Sequence, residues 1–206
     1  MEGATPRSSA VPHRIGRARA DQRAAIAATL CEAFADDPGM AWLWPDRTVR
    51  LQALPHFFKA IVAGSMRNGI ALASAGGDAA CLWRLPGRIN PGRVETLTGL
   101  ASMAKAFRHN ASRAKLMSGI VRAHQPTGFD WWYLQFVGVR PQAQGQGLGR
   151  DAVAAGLALA RRAGKPAYVE VLNPANLDFY RAAGFAPFDE YDVPDGGPHV
   201  WALLHP

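Results

Sequence analysis

The order of apolar and polar positions divides the chain into helices and strands before any chemistry is considered. Residues 16–20, where arginines alternate with small residues, read as a short first strand. Ile26, Leu30 and Phe34 then recur about one helical turn apart, predicting a helix that Asp21 caps and that runs to about Ala35, with Asp37-Pro38-Gly39 as its stop. Met40, Trp42, Leu43, Trp44 and Pro45 make an unusually aromatic connection. A second helix is predicted over 49–68 with Gly69 as its stop, followed by strands over 70–74 and 79–84 around a Gly76-Gly77-Asp78 turn. Residues 91–124 read as mostly helical, in two or three basic amphipathic pieces. The aromatic and β-branched run 131–139 predicts a strand, and Val153, Leu157 and Ala160 predict a helix from Gly147 that Gly164 and Pro166 end. A strand over 167–172, a helix over 175–183, and closing strands near 186–193 and 199–204 complete the chain. The β-α-β-α unit among these elements predicts an α+β fold with a mixed sheet.

Composition narrows the class. A length of 206 residues suits one domain with a substantial core, expected over 15–206, and 49% hydrophobic with 19% charged residues is a globular balance. Residues 1–14 are small, polar and basic without an apolar run; they predict a disordered tail and not a secretory signal. Charges and prolines interrupt every apolar run short of the roughly 18–20 residues of a membrane span, so no membrane partner is expected. Cys31 and Cys81 lack metal-ligand spacing and are expected as buried free thiols, which predicts no metal site and a reduced, cytoplasmic setting. The formal charge is +7, but the arginines are spread along the chain without a nucleic-acid motif, so no nucleic-acid partner is expected. The excess reads either as a solvated surface or as an attraction for an anionic ligand. A monomer or homodimer is expected.

The candidate chemistry starts at Gln144-Gly145-Gln146-Gly147-Leu148-Gly149-Arg150, between a predicted strand and a predicted helix. Alternate glycines let a ligand approach the backbone, and a helix start adds N–H donors and a positive dipole end, which together make a phosphate cradle. Gly147 to Ala152 formally fits the G-x-G-x-x-G/A dinucleotide pattern, but only residues 165–206 follow the predicted helix, too few for the further βα units of such a domain. The nearest acidic residue at the required distance, Glu170, sits inside an apolar strand. The P-loop signature is absent.

A second segment, Glu170 to Phe185, changes the picture. V-x-P-x-x-Q-G-Q-G-L-G from Val139, followed by E-x-x-N-x-x-N-x-x-F-Y-x-x-x-G-F from Glu170, resembles the GNAT acyl-CoA N-acyltransferases. The resemblance runs from about Asp21 to Leu204 and is strong over 131–185. Within the superfamily it is similar to puromycin N-acetyltransferase-like proteins in Ala33-Phe34-Ala35-Asp36-Asp37-Pro38, in Trp132-Tyr133-Leu134 through Val139, and in Pro194-Asp195-Gly196-Gly197. It implies a mixed, mostly antiparallel sheet with a splayed central strand pair flanked by helices. The implied activity is direct acetyl transfer from acetyl-CoA to an amine, with a small-molecule amine, such as an antibiotic or other xenobiotic, as acceptor. A CoA-binding sensor without catalysis and a protein lysine or N-terminal acetyltransferase are the alternatives.

Residue by residue, the resemblance places the pyrophosphate on the amides of Gln144 through Arg150, and the pantetheine arm and acetyl carbonyl along Val137, Gly138 and Val139. Arg140 and Arg150 either meet phosphates or are solvated. Tyr180 is the implied proton donor to the departing thiolate, with a packed core tyrosine as the other reading. Asn176, one turn before it, is a candidate cofactor contact, and Asn173 either caps the helix or bonds the CoA arm. Alternation puts Tyr168, Glu170 and Leu172 on one strand face, where partial burial would raise the Glu170 pKa toward that of a general base. An anchor for the substrate ammonium and a structural glutamate stay open. His124 and Asp130 are weaker candidates. Phe34, Trp42, Trp44, Trp83 and Trp132 fall in segments that flank the acceptor in such folds, either as an aromatic pocket favouring a flat or apolar amine or as core.

Overall fold

Alternating apolar positions build a single sheet among the described residues, which in this computed structural model are 15–108 and 110–206; the tail expected over 1–14 lies outside them. Its strands are β1 (Ile15–Arg17), β2 (Ile70–Ser74), β3 (Ala79–Arg84), β4 (Trp132–Val139), β5 (Ala167–Val171), β6 (Ala186–Asp192) and β7 (His199–His205), in the order β1-β2-β3-β4-β5-β7-β6. Every neighbouring pair is antiparallel except β4 and β5, which run parallel. The helices are α1 (Arg23–Ala33), α2 (Pro38–Leu43), α3 (Arg47–Asn68), α4 (Arg93–Ala106), α5 (Ala111–Ala123), α6 (Leu148–Arg162) and α7 (Leu177–Ala182). The fold is α+β with a mixed sheet, as the apolar pattern predicted, and the sheet is mostly antiparallel with a parted central pair, as the resemblance implied.

Period-two alternation sends β2 and β3 side chains to both faces of the sheet. Ala71, Ala73, Ala80 and Leu82 pack with α1, α2 and α3 on one face. Ile70, Leu72, Cys81 and Trp83 pack with α6 and Tyr180 on the other. Both faces are covered, which is why β2 and β3 are buried throughout.

Two helix starts differ from the expectation. Asp21 does not cap α1; it lies in a 3₁₀ turn, Ala20–Gln22, and its carboxylate pairs with Arg19 at 3.1 Å. The aromatic connection is itself helical: Asp37 accepts from the Met40 N–H at 3.1 Å and Pro38 takes the first helical position, a cap strong enough to start the short α2.

A bulge and a fork shape the middle of the sheet. Leu82 faces Phe136 and Trp83 faces Leu134, so Gln135 is an extra residue in β4. The insertion shifts the alternation: Tyr133 and Phe136 pack on the α1/α3 face, Leu134 and Val137 on the α6 face. On its other side β4 pairs with β5 only at Trp132↔Ala167 and Tyr133↔Tyr168. Beyond Tyr133 the two strands part, leaving the inner edge of β4 without a strand partner.

Candidate active site

A cavity of about 1440 Å³ occupies the fork, lined by β4 from Tyr133 to Val139 and by β5 and its continuation from Val169 to Asn173. Single small-molecule sites usually enclose about 300–1,000 Å³, so the space suits two ligands side by side. Because the strands have parted, the cavity passes through the sheet and draws on groups from both faces.

On the α6 side it meets the glycine turn, every residue of which from Gln144 to Arg150 lines it. Gly145 and Gly147 adopt φ of +77° and +84°, the left-handed region that only glycine enters without strain. Gly147 precedes α6 directly, and the first α6 carbonyl bond is Asp151 N–H to Gly147 O. Leu148, Gly149 and Arg150 therefore point their N–H groups from a helix start, a fitting seat for an anion. A Cβ at Gly149 would lie 3.3 Å from Val139 Cγ2, so glycine sets how closely α6 approaches β4. The Gln144 amide donates to Val139 O at 3.2 Å, tying the turn to the strand end.

Val137, Gly138 and Val139 line the cavity on the free β4 edge. Gly138 also makes room for α1, since a Cβ there would come within 2.9 Å of Leu30 and 3.0 Å of Ala33. Asn173 accepts from the Ala175 N–H at 3.1 Å and so caps the turn before α7, while Asn176 lies exposed at the cavity rim. Arg140 is committed elsewhere: it bridges Glu32 at 3.4 Å and Asp78 at 3.3 Å. Arg150 is exposed and lines the cavity.

Tyr180 and Glu170 reach the cavity from opposite faces of the sheet. Tyr180 packs its ring edge-on against Phe179 and Phe185, with centroids 5.0 and 5.8 Å away, and its hydroxyl has no hydrogen-bond partner among the described residues. Burial, with added repulsion from Cys81 and Asp37, holds its pKa well above the ordinary phenol value. The phenol therefore stays protonated and able to donate.

Glu170 is gripped by three phenols. Tyr133 donates to Oε2 at 2.7 Å, and Tyr168 and Tyr191 donate to Oε1 at 3.0 and 2.9 Å. Burial pushes its pKa above the ordinary carboxylate value, and the three hydrogen bonds hold back that rise. His124 stacks on Tyr191 with centroids 3.8 Å apart and meets Asp189 at 2.8 Å, behind the cavity wall. Asp130 is on the surface with Lys165 at 2.9 Å.

Of the five aromatics expected as either acceptor pocket or core, one lies at the cavity. Phe34 lines the cavity; Trp42, Trp44, Trp83 and Trp132 do not. Trp44 is fully buried, donating to Ala106 O at 2.8 Å, and Trp42 is buried under Arg113, whose guanidinium lies 5.2 Å from the ring centroid. Trp83 and Trp132 face α6, away from α1 and α3, because alternation along β3 and β4 turns them there. Cys81 is buried as expected, its thiol pushed up to about 12, whereas Cys31 is only half-buried.

Other cavity groups left no trace in the local sequence pattern. Arg84 and Glu95 form a buried ion pair at 2.5 Å, with Gln135 accepting from Arg84 Nε at 3.0 Å and Asn68 donating to Glu95 at 3.0 Å. Asp37 also lines the cavity. These residues come from separate elements, and no short spacing joins them. Only the Tyr168–Glu170 alternation was visible in advance.

The fold has counterparts among known proteins. Residues 105–185 match the acetyltransferase (GNAT) family. A histone acetyltransferase HPA2-related acetyltransferase from Corynebacterium glutamicum superposes with a TM-score of 0.70 at 21% identity, over 95% of this chain and 97% of that one. Arylalkylamine N-acetyltransferase 2 from Aedes aegypti gives 0.60 at 13% identity, over 93% and 97%. A chain of the NatC complex bound to Gag peptide and CoA gives 0.52 at 11% identity, over 95% and 99%. The chain has the GNAT acetyltransferase fold, and the segment that builds its fork and glycine turn carries that family's sequence pattern.

Proposed function

We propose that this chain is an acetyl-CoA-dependent N-acetyltransferase that transfers the acetyl group directly to an amine of a small molecule. The observation that carries the reading is one cavity reached by the glycine turn, by Tyr180 and by Glu170 from two faces of the sheet. The donor side fits an acyl-CoA: left-handed glycines and a helix start for the pyrophosphate, and an unpaired β4 edge for the amides of the arm. Acetyl-CoA supplies the acetyl group and a thiolate leaving group.

The chain's own residues account for the proton steps. Glu170 receives the amine as an ammonium and takes its proton, because burial lifts the carboxylate's basicity toward that task. Tyr133, Tyr168 and Tyr191 fix the carboxylate's position. The neutral amine then attacks the thioester carbonyl. As the C–S bond breaks, Tyr180, protonated and without a protein acceptor, donates to the sulfur, and the second proton shed by the new amide nitrogen restores the phenol through solvent. The cavity wall contributed by α3, α4 and α5 is largely apolar, which favours a small acceptor over a peptide segment with its polar backbone. Similarity to puromycin N-acetyltransferase-like proteins in residues 33–38 supports a drug-like or xenobiotic amine, and the reduced interior of a cell is the setting in keeping with free Cys31 and Cys81.

Mixing the protein with acetyl-CoA and amines, and following thiol release, tests this. Tight CoA binding without thiol release from any amine would leave a CoA-binding sensor as the better account. Release with lysine peptides alone would point to a protein acetyltransferase.

A further inference from the structure

The acceptor half of the cavity has a charge pattern and a wall that together select a substrate class. Five carboxylates line the cavity: Glu32, Asp36, Asp37, Glu95 and Glu170. Three are already neutralised by arginines, Glu32 by Arg140, Asp36 by Arg47 and Arg50, and Glu95 by Arg84. Among the described residues, Asp37 and Glu170 face no basic side chain within ion-pair distance. Asp37 is spent on capping α2 and is held close to the backbone by the Met40 N–H. Glu170 alone therefore offers a buried anion fixed by neutral donors, which is a seat for a single cation.

Away from Glu170 the wall is apolar. Phe57 and Ile61 of α3, Leu100 and Met103 of α4, Phe107 just after α4, and Met117 of α5 line it. Phe57 meets Phe107 and Phe136 edge-on with centroids 5.9 and 5.8 Å away, so ring edges and faces are both presented. Leu100 is 59% exposed although it lines the cavity, and α5 has no buried residue. This apolar surface is open to a ligand that covers it. Methionines on two helices let the wall adapt its shape.

Resting on the acetyltransferase reading, we infer that the acceptor is a primary monoamine bearing an aromatic or alkyl tail, with its ammonium on Glu170 and its tail between α3, α4 and α5. Polyamines and aminoglycosides, which need several carboxylates, do not fit: of the remaining acidic groups three are paired with arginines and Asp37 is spent on the α2 cap. Lysine side chains of peptides do not fit either, since they would bring polar backbone against the apolar wall.

Two measurements on the intact protein test this, one of turnover and one of binding. With acetyl-CoA, kcat/KM for linear alkylamines from propylamine to hexylamine is expected to rise roughly fourfold per methylene, and phenethylamine to exceed spermidine, an aminoglycoside and a lysine peptide by at least roughly a hundredfold. Calorimetry of the same amines on the CoA-saturated protein should give the same order of affinities. Met117→Glu, on the helix with no buried residue, should cut the affinity for phenethylamine more than roughly tenfold and improve that for a diamine, with CoA affinity showing that the fold persists. Turnover of polycations or peptides at rates equal to or above phenethylamine overturns the acceptor class and leaves acetyl transfer standing. Absence of turnover with every amine, while calorimetry keeps the apolar order, defeats acetyl transfer and retains the apolar amine site. A flat order in both measurements defeats the inference outright.

Discussion

The phenol of Tyr133 donates to Glu170 Oε2 at 2.7 Å across the point where β4 and β5 stop pairing. Tyr133 is the last β4 residue in that ladder, and Glu170 lies two residues beyond Tyr168, its partner on β5. The contact spans the mouth of the fork, where a parting pair of strands would otherwise leave a buried carboxylate and a buried hydroxyl unsatisfied. The carboxylate held in this way is the group on which the acetyltransferase reading depends most.

Glu170→Gln is therefore expected to lower kcat/KM by roughly a hundredfold at neutral pH, the lower range for loss of a general base. The Glu170 pKa is raised in the folded protein, so the base is ionised only above that raised value and wild-type activity climbs as pH rises through it. In the variant this limb should vanish, and the deficit should shrink at alkaline pH where the amine is already neutral. A pH–rate profile of both proteins checks it; a deficit that stays constant with pH would make Glu170 an anchor or a structural group.

Tyr180→Phe keeps the ring that packs on Phe179 and Phe185 and removes only the hydroxyl. A fall in kcat of roughly 10²-fold is expected, with the Kd for CoA unchanged within about twofold. Because the phenol pKa lies far above neutrality, no alkaline limb from Tyr180 should appear below about pH 10 in the wild-type profile. Equal losses in kcat and CoA affinity would identify a packing role.

Gly147 and Gly164 give a controlled pair. Both are left-handed, with φ of +84° and +62°, and both have open space around a Cβ, but only Gly147 lines the cavity. Alanine at either should cost about 1–2 kcal/mol of stability from backbone strain alone. Gly147→Ala should also weaken CoA binding, by roughly tenfold, as the turn relaxes out of its cradle shape. Gly164→Ala should leave CoA affinity untouched. Calorimetry of CoA binding beside thermal melts separates the two effects.

The Arg84–Glu95 pair makes a stability prediction with a defined pH sign. Burial acts to raise the Glu95 pKa, but the hydrogen bonds from Arg84 and Asn68 outweigh it and the net shift is downward. A depressed folded pKa contributes stability above the unfolded value of about 4.5 and loses it as pH falls through the lower folded value. Arg84→Met leaves Glu95 buried without its cation and should cost about 3–5 kcal/mol, a drop in Tm of roughly 6–20 °C at pH 7. Arg84→Met combined with Glu95→Leu should recover most of that loss. Melts across pH 3–7 provide the readout, and equal Tm values for the single and double variants would contradict it.

Much of the fold could be read along the chain because it follows from local rules. The apolar runs of β2 through β5, the helical spacing of Val153, Leu157 and Ala160, and the stop at Gly164 all act over a few residues. Local rules failed at competing caps. Asp21 turned to Arg19, whereas Asp37 found the Met40 N–H and converted an aromatic connection into α2. They failed again at Trp83 and Trp132, whose hydrophobicity suits a pocket and a core equally. Strand parity, which depends on register and on the bulge at Gln135, decided for the core facing α6.

By itself the sequence determined the groups available for chemistry and their local backbone: left-handed glycines ahead of a helix, a carboxylate on an otherwise apolar strand, and a tyrosine one turn past Asn176. Only the tertiary structure decided which of them meet. Tyr133 and Tyr191 reach Glu170 from strands 37 and 21 residues away along the chain, and Arg84 finds Glu95 on a helix that follows a loop. The fork itself comes from pairing that ends at Tyr133 and Tyr168. Hydrogen-bond registers and face assignments of this kind are long-range, set by the packing of the whole sheet between its two helical layers, and no short stretch of sequence contains them.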